Sequence, residues 1–215
     1  QFASYNGSTI NLIPNPSNCN LYYSSRYGNV FKNKMYISFE QNVTGGTVLA
    51  KFDGNNYTII NPNLGVSINW GDHSFVYKNK LCFVGNTIGS TNIPLIAAYN
   101  DTSFTISDTI HSSTNISYYS NDFFEYNNNA YAVSMIPTST GYANSIIKYD
   151  GNLLTSVFID STIGHSISGN MCIFNNKLYF SRSVYSTSSY KNNLIQYDGN
   201  TFININNPDT GRGVS

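Results

Sequence analysis

Aspartate, histidine and cysteine are the residues of this chain whose types could support metal binding or acid–base chemistry. Asp53, Asp150 and Asp198 each precede a glycine, and Asn100 stands where a fourth such aspartate would be. An aspartate before a glycine caps its own hairpin turn, whereas calcium needs several oxygen ligands converging within one loop. We therefore interpret these aspartates as turn residues rather than as a ring of metal ligands.

The three histidines, His73, His111 and His165, lie in or near the predicted links between repeated units of the chain. Their distances to the next repeated aromatic residue differ, so their side chains should not meet at one level of the fold. The sequence therefore predicts neither a metal site nor a cofactor.

The three cysteines, Cys19, Cys82 and Cys172, are odd in number and widely spaced, and no C-x-x-C pair occurs. Such spacing disfavours a disulfide framework or a zinc site. We predict that they are buried free thiols.

No nucleophile motif such as G-x-S-x-G is present. A glycoside hydrolase needs two carboxyl groups at a defined separation, and the sequence leaves open which acids face each other. The acids outside the predicted turns are Glu40, Asp72, Asp101, Asp108, Asp122, Glu125, Asp160 and Asp209. We expect a protein that is not an enzyme, with a glycan-active hydrolase or lyase as a less favoured alternative.

Tyrosine and phenylalanine are abundant, with 18 and 13 residues, and sugars stack their C–H faces on aromatic rings. Aromatic residues that recur in phase with the repeat are predicted to pack between units: Phe31, Tyr36, Tyr77, Tyr126, Tyr131, Phe174 and Tyr179. The better ligand-binding candidates are aromatic residues that the repeat does not require, together with two polar neighbours of the tryptophan: Trp70, Asp72, His73, Tyr118, Tyr119, Tyr142, Tyr185 and Tyr190. They fall in predicted loops and links, where binding usually resides.

Five N-x-S/T sequons occur, at Asn6, Asn42, Asn56, Asn100 and Asn115. They are glycosylation candidates only if the source organism glycosylates, and Asn42 is expected to be the most accessible.

Two recurring segments must position all of these residues. In one of them an aromatic residue is followed directly by an Asx-Gly or related turn. Its anchors, 47 to 50 residues apart, are Tyr5, Phe52, Tyr99, Tyr149 and Tyr197. The other is an Asn- and Lys-rich turn between two alternating stretches, and it recurs four times in register with the first. A period near fifty built from strand-like units is typical of a propeller or solenoid.

Each unit reads as four short strands, A to D, with an Asn-rich turn between A and B and an Asx turn between C and D. In the second full unit they are expected near residues 73–77, 80–86, 94–99 and 103–107. A lone hairpin cannot bury its apolar face, whereas four-stranded blades packed around an axis can. The sequence therefore predicts one all-β domain over residues 1–215, a β-propeller of four complete blades and a partial fifth.

The predicted units cover about residues 1–13 (partial), 19–60, 66–107, 115–159 and 165–205. Five C–D hairpins thus face only four A–B hairpins. Either the chain is a slice of a longer one, whose next A–B hairpin completes a fifth blade with residues 2–13, or a four-bladed ring carries an extra edge. We favour the slice of a longer chain.

The composition limits the classes of partner that the chain could bind. Lys+Arg and Asp+Glu balance at 11 each, so no basic field indicates nucleic acid or an anionic membrane, and no apolar run is long enough to span a bilayer. Charged residues make up only 10%, a composition common in secreted, cell-surface and virion proteins.

The unit pattern, N-N-K-L-Y-F over Asn175–Phe180 and then L-x-x-Y-D-G-N-x-F over Leu194–Phe202, resembles the E-L-W-x-x-D-G-T (kelch-like) repeat proteins. The likeness extends through residues 2–215. It is incomplete, because the position of the family's tryptophan is taken here by Ala50, Ala97, Ile147 and Ile195 or by a neighbouring residue. The resemblance implies a propeller and an extracellular setting. It implies no catalytic residues, because the shared motif is a folding motif.

These observations favour an extracellular, non-catalytic propeller that binds a glycan or a surface protein in adhesion, in a lectin-like or receptor-recognition role. The alternative is a structural subunit of an extracellular filament, coat or virion fibre that self-assembles through its terminal strands.

Overall fold

The structure is a computed structural model. It describes residues 2–5, 7–21, 28–42, 46–60, 64–68, 74–87, 94–109, 118–119, 123–138, 141–162, 165–186 and 189–205. Every regular element among them is a β-strand, so the all-β prediction is confirmed. None of the described residues belongs to a helix that could cross a membrane.

The strands form one hairpin and four sheets, each from neighbouring parts of the chain. The first hairpin consists of β1 (Phe2–Tyr5) and β2 (Ile10–Ile13). Sheet 1 consists of β3 (Cys19–Leu21), β4 (Asn29–Phe31), β5 (Lys34–Gln41), β6 (Thr47–Phe52) and β7 (Tyr57–Ile60). Sheet 2 consists of β8 (Val66–Ile68), β9 (Ser74–Tyr77), β10 (Lys80–Thr87), β11 (Pro94–Tyr99) and β12 (Phe104–Ile106).

Sheet 3 consists of β13 (Asp108–Thr109), β14 (Tyr118–Tyr119), β15 (Phe124–Tyr126), β16 (Asn129–Thr138), β17 (Gly141–Tyr149) and β18 (Leu153–Asp160). Sheet 4 consists of β19 (His165–Phe174), β20 (Lys177–Ser186), β21 (Ser189–Tyr197) and β22 (Phe202–Ile205). In all four sheets the predicted strands A, B, C and D follow one another as a meander, which is the strand order of a propeller blade.

In three of the four sheets the described part of strand A consists of two pieces. In sheet 1, β3 and β4 both pair with β5, one at each end of it, and strand A of sheets 2 and 3 is likewise in two pieces. In sheet 4 strand A is the single strand β19, but its register against β20 shifts between Ile167 and Met171.

The A–B turns confirm the predicted hairpin chemistry. Both central residues of each turn have positive φ, near 45° to 58°: Lys32 and Asn33, Lys78 and Asn79, Asn127 and Asn128, and Asn175 and Asn176. Two-residue hairpin turns with this geometry match the twist of the flanking strands, and asparagine tolerates it better than most residues.

The C–D turns confirm the capping role of the aspartates. Oδ1 of Asp198 accepts hydrogen bonds from the backbone N–H groups of Asn200 and Thr201, each at 2.8 Å. Asp53, Asn100 and Asp150 make the same pair of bonds in their own turns. The aromatic anchor closes the turn as well, since Tyr197 Oη donates to the Gly199 carbonyl at 2.8 Å.

The chain divides into two compact units, Gln1–Gly85 with Ala97–Thr105, and Asn86–Ile96 with Ile106–Ser215. In the second unit sheets 3 and 4 pack face to face around a cluster that includes Tyr126, Tyr131, Ile146, Phe180 and Tyr197. In the first unit Phe2 of the hairpin packs against a cluster in sheet 1 that includes Phe39 and Val48.

Two packing predictions are wrong. Phe174 is exposed, whereas its counterparts Phe31, Tyr77 and Tyr126 are buried. Tyr126 contacts Tyr197 of the sheet that follows its own, and within the described residues no sheet follows sheet 4. The prediction of buried thiols holds for Cys19 and Cys82 but not for Cys172, which is exposed on β19, an edge strand of sheet 4. Burial raises the pKa of Cys82 to about 12.

Candidate active site

Three polar side chains, those of an aspartate, a histidine and an arginine, converge in the second unit, where β18 ends and β19 begins. Asp160 is the last residue of β18, His165 is the first of β19, and Arg182 lies in β20. Arg182 Nε donates to Asp160 Oδ2 at 2.5 Å, and His165 Nδ1 lies 3.1 Å from the same oxygen. We call this group the Asp160 cluster.

The carboxylate of Asp160 is buried and ionised. Its side chain is only 3% exposed. Burial by itself would raise the pKa of Asp160, but hydrogen bonds from Arg182 and Thr162 outweigh it and lower the pKa to about 2. A buried carboxylate that keeps its charge needs such a partner, so Asp160 and Arg182 hold each other in place.

The contact between Arg182 and His165 specifies the proton on the imidazole. Arg182 Nη2 lies 2.6 Å from His165 Nδ1, and a guanidinium nitrogen can only donate. Asp160 Oδ2, 3.1 Å from the same nitrogen, can only accept, so Nδ1 forms a hydrogen bond with one of the two residues. With the shorter Arg182 contact as that bond, Nδ1 accepts and the ring proton of a neutral imidazole lies on Nε2. The cluster thus presents an N–H group of the imidazole on the side away from Asp160.

Neighbouring residues of β17 support the cluster. Asn144 pairs with Asp160 in the sheet, and its side-chain amide donates to the His165 carbonyl at 2.7 Å. Tyr142, two residues earlier and therefore on the same face of β17, is 66% exposed. An exposed aromatic ring thus lies on the strand that braces the cluster.

Sequence reasoning found these residues only in part. Asp160 was among the acids outside the turns, and His165 was weighed only as a metal ligand. Arg182 was missed, although a signal exists: Phe39, Gly85 and Ser134 stand at the corresponding position of strand B in the other units. A charged residue where the repeat places apolar or small ones is as informative as an out-of-phase aromatic residue.

The predicted ligand-binding residues are only partly described. Trp70, Asp72 and His73 lie outside the described residues. Tyr118 and Tyr119 form β14, paired with Met135 and Ser134. Tyr185 and Tyr190 face each other across the β20–β21 hairpin. Tyr142 lies on β17, two residues before Asn144, the register partner of Asp160.

The sequons and possible metal ligands add little to the site. Asn42 and Asn56 are exposed and Asn100 is half-buried, while Asn6 and Asn115 lie outside the described residues. In the described part of the chain, no three His, Cys, Asp or Glu side chains are grouped so that they could hold a metal ion.

A second charged group lies in the first unit. Asp101 stands where the other C–D turns have glycine, and its φ is +85°, a conformation that is costly for a residue with a side chain. Its carboxylate accepts from Lys34 Nζ and Tyr36 Oη, each at 2.7 Å, and from Lys51 Nζ at 3.4 Å. Sheet 1 therefore clamps the turn of sheet 2 through Asp101.

The clamp makes Asp101 sensitive to acid. Burial would raise the pKa of Asp101, but the hydrogen bonds from Lys34, Tyr36 and Lys51 lower it to about 2. Because the folded pKa lies below the ordinary value, this contribution to stability is present above about pH 4 and is lost as pH falls through about 2.

Asp101→Asn keeps the tolerance for positive φ but removes the charge. We expect it to lower the free energy of unfolding at pH 7 by roughly 1–2 kcal/mol, since the partly exposed clamp loses charge-assisted hydrogen bonds. Urea unfolding at pH 7 and pH 2.5 measures this, and the difference between the variant and the parent should shrink at the lower pH. An equal difference at both pH values would contradict the clamp.

Comparison with known proteins gives structural neighbours but no family. No protein-family model and no curated protein matches the chain. One similar structure is a GH32 β-fructofuranosidase of Bombyx mori in complex with sucrose, with 10% identity, a TM-score of 0.44, and coverage of 81% of this chain and 46% of that one. The chain therefore spans less than half of the Bombyx mori enzyme.

Two further neighbours are also glycoside hydrolases. A thermostable family-43 enzyme has 10% identity and a TM-score of 0.44 over 86% of this chain and 72% of its own. A family-117 enzyme of Zobellia galactanivorans has 8% identity and a TM-score of 0.43 over 87% and 68%. These neighbours overturn two predictions, that the chain is a non-catalytic binding or structural protein and that it is not an enzyme.

Proposed function

We propose that this chain is part of a glycan-active enzyme and that the Asp160 cluster contacts the substrate. The observation that carries the proposal is the buried, ionised Asp160, which fixes Arg182, while Arg182 in turn contacts His165 and the neighbouring strand β17 carries the exposed ring of Tyr142. Strongly perturbed and paired ionisable groups occur more often at functional sites than elsewhere.

Each member of the cluster has a role in the proposal. Asp160 is nearly covered, so it acts as a positioning residue for Arg182 and, through Arg182, for His165. Arg182 supplies a fixed positive charge that stabilises the negative charge developing on the oxygen of a breaking glycosidic bond. The Nε2–H group of His165 donates to a sugar hydroxyl, and Tyr142 offers a face on which a sugar ring stacks.

Glycoside hydrolysis also needs a pair of carboxyl groups, one of them a proton donor to the leaving oxygen. Asp160 is unsuited to donate a proton, because its low pKa keeps it ionised. The proton donor is then one of the other carboxyl groups outside the turns, such as that of Asp72 or Asp122. Replacing each of these residues with its amide tests which one is needed for activity.

We further propose that the four sheets and the first hairpin are blades of a propeller, with four complete blades and a partial fifth in one domain. The meander order of strands A to D in every sheet supports this arrangement. The low charge and the uncharged polar surface support an extracellular setting, with a glycan as the partner and no cofactor.

The test is an assay of reducing-end release on a panel of β-fructans, arabinans, xylans and agaro-oligosaccharides. We expect Arg182→Lys and His165→Gln each to lower kcat/KM at least about 100-fold, because lysine lacks the planar fork of arginine and a 100-fold loss corresponds to about 2.7 kcal/mol. Lys177→Gln removes a cation from the same strand, away from the cluster, and should leave activity unchanged.

Two outcomes would contradict the proposal. One is the absence of reducing ends from every substrate at micromolar protein. The other is activity on some substrate that His165→Gln and Arg182→Lys leave at the parental level while both variants remain folded by circular dichroism.

A further inference from the structure

Among the strands that the structure describes, none pairs with the outer edge of β1. We propose that this edge is a docking surface for a β-hairpin of the chain's own A–B type, which would join β1 and β2 as a further four-stranded sheet. The inference is independent of the enzymatic proposal, because it uses no residue of the Asp160 cluster.

Strand pairing supplies the first argument. In each of the four sheets strand C lies between strands B and D, as β6 lies between β5 and β7, and β21 between β20 and β22. The first hairpin has the C–D conformation: Tyr5 Oη donates to the Gly7 carbonyl at 2.7 Å, as Tyr197 does to Gly199. Yet among the described residues β1 pairs with β2 alone, and an open strand edge accepts another strand.

Exposure of the aromatic anchor supplies the second argument. Tyr5 is 69% exposed, whereas the equivalent Tyr99, Tyr149 and Tyr197 are 5%, 1% and 5% exposed. Ile10 and Leu12 of β2 are also exposed. A folded chain rarely leaves such a group of apolar side chains uncovered without a partner. In sheets 2 and 4 the equivalent ring packs against strand B of the preceding sheet, as Tyr99 against Tyr36 and Tyr197 against Tyr131; the structure describes no such sheet for Tyr5, and a strand paired with the outer edge of β1 would cover the flank of its ring.

The hairpin is also held where an added sheet could form. Phe2 packs edge-on against Phe39 of sheet 1, with ring centroids 6.3 Å apart, and joins the cluster around Ile37 and Val48. One face of β1 is therefore fixed on sheet 1, while no described strand forms backbone hydrogen bonds with its outer edge.

The repeat predicts both the chemistry and the register of the occupant. Opposite the aromatic anchor of strand C stands the second residue of strand B, as in the pairs Met35 with Phe52 and Leu178 with Tyr197. The residue two places further along strand B stands opposite the residue two places before the anchor, as Ile37 opposite Ala50. An added hairpin with the sequence of residues 29–41 should thus place its Met35 opposite Tyr5 and its Ile37 opposite Ala3.

The test fuses a second copy of residues 29–41 ahead of Phe2 through a five-residue Gly/Ser linker, the length of the connection between β5 and β6. In a Cys172→Ser background, Ala3→Cys is combined with Ile37→Cys in the fused copy. Directly opposed residues of neighbouring strands satisfy disulfide geometry, so we expect this pair to oxidise at least about tenfold faster than the control with Ser38→Cys in the fused copy, which faces the other side. Hydrogen exchange should show the Phe2–Tyr5 amides newly protected.

Three results would overturn the proposal. The two cysteine pairs could oxidise at equal rates, or the Phe2–Tyr5 amides could exchange as fast with the fused hairpin as without it. Disulfides between chains rather than within one chain, together with concentration-dependent dimers, would show that a second copy occupies the edge instead. Because none of these readouts is enzymatic activity, their failure is separate from that of the proposed function.

Discussion

Arg182→Met is expected to destabilise the second unit by about 3–5 kcal/mol at pH 7. Removing one partner of a buried ion pair leaves the other charge without compensation, and this cost exceeds the value of the pair itself. Asp160 is the residue left behind, with its side chain 3% exposed. Methionine retains most of the volume of the arginine stem, so the loss reports the charge rather than a cavity.

The pH dependence identifies the cause. In the parent chain the pKa of Asp160 is lowered to about 2, so its contribution to stability is present above about pH 4 and disappears as pH falls through about 2. Without Arg182, burial dominates and the pKa of Asp160 rises above its ordinary value. The variant should therefore become more stable between pH 7 and pH 4, where the parent chain does not.

Urea unfolding from pH 3 to pH 8 measures both effects, with Lys177→Met as the control on the same strand. The double variant Asp160→Asn, Arg182→Met should recover part of the loss, because it removes the buried charge. An Arg182→Met loss that is independent of pH, or that Asp160→Asn fails to relieve, would show that Arg182 contributes through packing alone.

The repeat allowed much of the fold to be predicted because its chemistry is local. An Asn-Asn or Lys-Asn pair accepts positive φ wherever it occurs, and an Asx side chain reaches the N–H groups two and three residues ahead in any turn. The turns at Asn175 and Asp198 could therefore be predicted without knowledge of their neighbours. Alternation of apolar residues along each strand made the meander predictable in the same way.

The Asp160 cluster could not be predicted because it depends on how two sheets meet. Asp160, His165 and Arg182 come from the end of strand D, the start of strand A and the middle of strand B, and no local rule brings these positions together. The spacing of the three histidines along the chain does not indicate that the neighbours of His165 are an aspartate and an arginine. Likewise, Asn100 was matched to the capping aspartates, but the glycine position taken by Asp101 was overlooked.

Tyr197→Ala is expected to cost about 3–5 kcal/mol, the range for removing a large aromatic side chain from a core. The Tyr197 ring stacks on Phe202 with centroids 4.2 Å apart and meets the Tyr131 ring edge-on at 5.8 Å. It thus connects strand D of sheet 4 with strand B of sheet 3, and its loss leaves a cavity between the sheets.

The repeat provides two matched controls for this substitution. Tyr197→Phe removes only the hydrogen bond to the Gly199 carbonyl and should cost about 1 kcal/mol. Tyr5→Ala makes the same change at the equivalent position of the first hairpin, where the ring is exposed, and should cost less than about 1 kcal/mol. Urea unfolding of the three variants decides the matter: if Tyr5→Ala and Tyr197→Ala cost the same, the turn motif itself supplies the stability. If only Tyr197→Ala is costly, the stability comes from packing one sheet on the next, and the repeated tyrosine matters only where a neighbouring sheet covers it.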